Sequence, residues 1–68
     1  MTIIHSKVYL KQDTNLDDVR LILGDYPRAC LDDDNYVVYY NDAPDDVNEL
    51  IEELFPFKYS AELTTETF

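Results

Sequence analysis

Sixty-eight residues with 46% hydrophobic content and a formal net charge of −10 describe one small folded domain, because a disordered acidic tail would carry far less apolar material. A chain this short buries only about 60% of its unfolded surface and folds with little stability in reserve. One cysteine excludes an internal disulfide framework, and no apolar stretch is long enough for a signal peptide or a membrane span, so a soluble cytoplasmic protein repelled by anionic membranes is the expectation.

His5 to Leu10 alternates His5, Lys7 and Tyr9 with Ser6, Val8 and Leu10, the pattern of a half-buried strand. Lys11, Gln12 and Asp13 close it in a polar turn. Thr14 or Asn15 then caps a helix, with Asp17 and Asp18 in the first turn where carboxylates favour the helix dipole. Leu16, Val19, Ile22, Leu23 and Tyr26 keep the helical period, and Gly24 and Pro27 stop it. Arg28 to Leu31 is too short for its pattern to define a strand. Asp32-Asp33-Asp34-Asn35 is turn chemistry, and Tyr36 to Tyr40 is the strongest strand signal in the chain. Asp42-Ala43-Pro44 opens a second helix with a capping carboxylate and a proline in its first turn. Val47, Leu50, Ile51, Leu54 and Phe55 give it a complete buried stripe before Pro56 ends it. Phe57 to Glu66 alternates again, which predicts a strand with one buried and one wet face.

This order predicts a single compact acidic α+β domain over residues 1–68, with a mainly antiparallel three-stranded sheet packed with two or three helices. If Arg28–Leu31 pairs as a fourth strand, the order matches the split βαβ (ferredoxin-like) arrangement. The three-stranded version is favoured, because so short a chain leaves little material for four full strands. A monomer is expected.

The charge is a block. Between Leu31 and Pro56 stand nine carboxylates (Asp32, Asp33, Asp34, Asp42, Asp45, Asp46, Glu49, Glu52 and Glu53) and no lysine or arginine. Residues 1–30, by contrast, balance four acids against four bases. Such a block repels itself, favours solubility and steers encounter with basic partners. On the second helix Asp45, Glu49 and Glu52 lie near one line, flanked by Asp46 and Glu53, opposite the core stripe. At about 1.5 Å rise per residue these average one charge per roughly 2.5 Å of axis. Duplex DNA carries one per about 1.7 Å, so this face suits a groove built for a phosphate backbone. Tyr39 or Tyr40, beside Asp42, is the candidate aromatic anchor. Direct nucleic-acid binding is not expected, since phosphates would meet carboxylates.

Enzymatic readings fare poorly. A calcium loop starting at Asp32 would need an oxygen ligand where Tyr36 stands, glycine at Val37 and glutamate at Ala43. One histidine and one cysteine, His5 and Cys30, are too few for a transition-metal site and form a nucleophile–base pair only if the fold joins them. Gly24 alone cannot make a phosphate loop. The expectation is a protein without catalytic activity, cofactor or metal.

The short chain, the carboxylate block at Asp32–Glu53 and the compact α+β pattern with a tyrosine-rich strand resemble the small acidic proteins by which bacteriophages disarm host defences. These include DNA mimics and anti-CRISPR proteins directed against type I effector complexes. The resemblance lies in overall character, without a shared motif. It implies an inhibitor whose partner is a basic nucleic-acid-binding protein such as a CRISPR-Cas effector subunit, acting in the host cytoplasm. Two other readings stand beside it. One is an antidote or immunity protein for a single cationic enzyme; the other is an accessory protein whose acidic face only keeps it soluble.

Overall fold

Six elements follow one another in the computed structural model, which describes residues 1–68: β1 (Thr2–Leu10), α1 (Leu16–Leu23), β2 (Cys30–Asp32), β3 (Val37–Asp42), α2 (Pro44–Glu53) and β4 (Lys58–Thr67). The strands form one sheet in the order β2-β3-β1-β4, with every neighbouring pair antiparallel. This is the split βαβ arrangement, with four strands and two helices. The fourth strand is real but only three residues long; Cys30, Leu31 and Asp32 pair with Tyr39, Val38 and Val37. It owes its extended form to the strong β3 beside it, which explains why its own sequence carries no period.

Hydrogen-bond parity assigns the two sides of the sheet. Met1 and Phe68 exchange both backbone bonds, at 3.1 and 2.8 Å, while the Leu10 N–H donates to the Tyr36 carbonyl at 2.9 Å. Odd-numbered residues of β1 therefore bond to β4 and even-numbered ones to β3, as antiparallel ladders alternate. The even-numbered side chains Ser6, Val8 and Leu10 are buried beneath the helices. His5, Lys7 and Tyr9 project from the open face.

The core is small: Val8, Leu10, Val19, Val38, Tyr40, Val47, Leu50 and Leu54. Helix α1 is capped by Asn15, whose side chain accepts the Asp17 N–H at 3.0 Å, so Asn15 and not Thr14 takes that role. Helix α2 packs over β1 and β3. Its expected stripe is shorter than the pattern suggests. The helix ends at Glu53, and Phe55, in the following turn, is 70% exposed with the Lys58 ammonium 5.6 Å from its ring centre.

Strand β4 departs most from expectation. Neither helix packs along it, so Ala61, Leu63 and Thr65 remain exposed although they point to the helix side. The buried face inferred from alternation is therefore uncovered. The chain turns from α2 into β4 through Leu54–Phe57, which leaves the helix over the centre of the sheet and the last strand as a bare margin.

Candidate functional site

The nine carboxylates divide into a compensated group and an uncompensated one. Asp32 closes the β2–β3 turn on itself, its oxygens accepting the Asn35 backbone N–H at 3.3 Å and side-chain amide at 2.9 Å. The Asn35 side-chain bond is the main reason its pKa falls below the ordinary carboxylate range. Asp33 accepts from Arg20 at 3.2 Å, which ties the acidic turn to α1. The oxygens of Asp32, Asp33 and Asp34 lie within 4.8 Å of one another, but two of the three already have protein donors.

Asp42 also turns inward. Its Oδ2 accepts the Tyr40 hydroxyl at 2.7 Å, its Oδ1 accepts the Ala43 N–H at 2.8 Å, and Arg28 stands 3.7 Å away. These bonds, with that from Tyr40 foremost, hold its pKa below the usual value. The expectation that Asp42 caps α2 fails, since Ala43 is the N-cap, and the carboxylate is bonded into the strand–helix junction instead of projecting with the acids of α2.

Six acids remain: Asp34 stands alone in the β2–β3 turn, and five lie on exposed turns of α2, namely Asp45, Asp46, Glu49, Glu52 and Glu53. The apolar period Val47, Leu50, Leu54 is what orients them, since burying that stripe leaves the opposite side to solvent. No lysine or arginine comes within 4.0 Å of any of them. Arg20 is engaged with Asp17 and Asp33, Arg28 with Asp42, and Lys58 with the Phe55 ring. Asp45 and Asp46 suit the positive end of the helix dipole, whereas Glu52 and Glu53 oppose its negative end with no base nearby. Glu53 alone has a partner, accepting the hydroxyl of Tyr26, which raises the tyrosine pKa well above its ordinary value. That contact joins the α1 exit to the end of α2. No local pattern signals it, because the two residues are far apart in the chain.

The aromatic anchors are rearranged as well. Tyr40 is only 5% exposed and packs edge-to-face on Tyr26 with ring centres 5.7 Å apart, so it cannot serve as a surface anchor. Tyr39 is 40% exposed but lies on the open sheet face. There it lines a shallow depression of about 300 Å³ with His5, Lys7, Asn41, Glu62 and Thr64. Alternation along β3 thus separates Tyr39 from α2 by the thickness of the sheet. His5 in turn sits 2.9 Å from Glu66, and Cys30 is exposed on β2 two strands away from β1, so the fold does not join them into a reactive pair.

The Tyr40–Asp42 pair has a pH signature. Burial first, and Asp42 second, push the Tyr40 hydroxyl up to about 12 from 10.0. A group raised in the folded state contributes stability that is complete below its unfolded pKa and is lost as pH climbs to the folded one. Asp42, lowered in the folded state, contributes above its unfolded pKa and loses that contribution as pH falls through the folded value. Melting temperature should therefore fall between pH 10 and 12, and again below the ordinary carboxylate range. Tyr40→Phe should cost about 1–3 kcal/mol by stripping Asp42 of its donor. That is a loss of roughly 4 °C or more for a domain of this size, with a smaller alkaline decline. Thermal melts of both proteins across pH check this; unchanged profiles would mean that the bond contributes nothing.

Comparison with protein families, curated proteins and solved structures gives no match for this chain.

Proposed function

We propose that this protein is a non-enzymatic inhibitor that lays the acidic face of α2 into the nucleic-acid-binding site of a basic partner. The observation that carries the reading is the set of five α2 carboxylates without a single cationic neighbour, in a molecule whose arginines are committed to acids elsewhere. A face with that spacing of charge offers lysines and arginines the same electrostatic counterpart as a phosphate backbone. Opposite charges steer the encounter, so association is fast and weakens with salt. No bond is made or broken in the target; occupancy alone excludes the nucleic acid. The resemblance to phage anti-CRISPR DNA mimics points to a CRISPR-Cas effector subunit as the partner class, with the host cytoplasm as the place of action.

Competition tests the proposal. The partner captured at low salt should release this protein when duplex or single-stranded DNA is added, and DNA already bound should block capture. A complex that DNA cannot displace, in either order of addition, favours an antidote bound to a cationic site unrelated to nucleic acid.

A further inference from the structure

The sheet has two edges, and only one of them is protected. At the β2 edge the strand is three residues long and runs directly into Asp33 and Asp34. Shortness and charge are the usual means by which soluble proteins keep an edge from pairing. The β4 edge has ten residues and no proline, and its one irregularity falls at its start, opposite Tyr9 and Leu10.

Parity states which groups it offers. Phe68, and by alternation Glu66, Thr64, Glu62 and Ser60, turn their backbone N–H and C=O toward β1. The backbone groups of Ala61, Leu63, Thr65 and Thr67 therefore point away from the sheet with no strand to receive them. The side chains of these same residues lie on the helix side, where none is charged and no helix packs along them. Leu63 is 52% exposed there, opposite Ser6 in the register and diagonal to Ile4, which pairs with Thr65. The charges of the outer ribbon balance, Lys7 and Lys58 against Glu62 and Glu66, and Glu66 is further engaged by His5. The acidic face of α2 lies inboard over β1 and β3, and the acidic turn lies at the far edge.

We infer that β4 pairs antiparallel with β4 of a second copy of this chain, joining two sheets across a two-fold axis at Leu63. Several registers keep the outward-facing groups in step; those centred on Glu62 and Leu63 share the longest overlap, Thr64 lies next to them, and the charges nearest the axis separate these three. Centring on Glu62 sets two Glu62 side chains against each other. Centring on Thr64 sets Glu62 against Glu66 twice. Like charges directly opposite are unfavourable. Centring on Leu63 puts Leu63 on its own copy, Ala61 on Thr65, and Glu62 on Thr64, with no like-charged pair facing. Ile4 and Leu63 of both copies then form one apolar strip on the helix side. Because each copy carries the charge block, salt strengthens this pairing, whereas it weakens binding of a cationic partner through α2. The inference is thus independent of the mimicry proposal.

Sedimentation across a concentration series tests it on the full chain. A monomer–dimer equilibrium is expected, on the order of 10–100 µM given the modest area of an edge contact, and tighter at high salt. Thr65→Pro removes an outward N–H that no intramolecular bond uses, so the fold survives, as far-ultraviolet circular dichroism will report, while dimerisation weakens at least tenfold. Leu63→Lys, which sets like charges on the axis, should do the same. Leu63→Cys in a Cys30→Ser background should oxidise to a linked dimer, because hydrogen-bonded antiparallel partners have Cα atoms about 5.5 Å apart, within disulfide reach. A wild-type protein monomeric throughout, or a dimer indifferent to Thr65→Pro, overturns the inference. If the monomer persists and Thr65→Pro instead loses the captured partner, the edge receives a strand of that partner and self-pairing is equally overturned.

Discussion

Reversing two charges on α2, Glu49→Lys with Glu52→Lys, is expected to weaken partner binding on the order of 100-fold or more at low salt. Both residues are exposed, lie on the central line of the face and have no cationic neighbour, so their replacement removes two attractions and installs two repulsions. Close charge pairs across an interface are each worth several kcal/mol when well formed, and one factor of 10 needs only about 1.4 kcal/mol. The same variant should melt a few degrees higher than the wild type. The second substitution sets a cation at the negative end of the helix dipole, gaining about 0.3–1 kcal/mol, and the pair together relieves the like-charge repulsion along the helix. Affinity and melting temperature should thus move in opposite directions, which separates loss of a binding surface from loss of structure. Binding retained in full would reduce the acidic face to a solubilising surface.

The second large effect concerns the core. Leu50→Ala should cost about 2–5 kcal/mol. Leu50 is 1% exposed and sits in a cluster of only eight buried residues, so few neighbours can shift to close the cavity. A domain of this length has roughly 3–10 kcal/mol in total, and the substitution should leave much of the population unfolded at 37 °C. Chemical denaturation followed by far-ultraviolet circular dichroism measures it. A loss below about 1 kcal/mol would mean that α2 is held by its ends and not by its stripe. That outcome would also loosen the acidic face, whose direction in space depends on that burial.

Elements with a clear period were legible in the chain, and those made by their neighbours were not. The α2 face followed directly from Val47, Leu50 and Leu54, because a buried helical stripe dictates where the opposite side points. Strand β1 begins at Thr2 and not at His5, since Ile3 and Ile4 are both apolar and show no alternation. Ile3 in fact faces the open side and Ile4 the helices. Cys30–Asp32 became a strand through β3. In β4 the alternation was correct as geometry and wrong as burial: Leu63 and Thr65 share a side with Val8 and Leu10, yet α2 stops short of them. Alternation tells which residues share a side, whereas cover depends on where a distant helix lands. The inward turn of Asp42 and the Tyr26–Glu53 contact are likewise non-local. For this reason the continuous block of nine acids in the sequence became five on one helix and a separate turn at the β2 edge, with Asp42 folded inward between them.

The pair formed by Tyr26 and Tyr40 gives the molecule a built-in optical gauge. There is no tryptophan, so near-ultraviolet dichroism comes mainly from tyrosines, and these two rings are fixed edge-to-face. One hydroxyl reads the state of Glu53 on the outer face, and the other reads the junction at Asp42. A ligand that draws Glu53 away from Tyr26 should therefore change the tyrosine spectrum while the peptide spectrum stays constant. A compact state that keeps its secondary structure but loses side-chain order should silence it altogether.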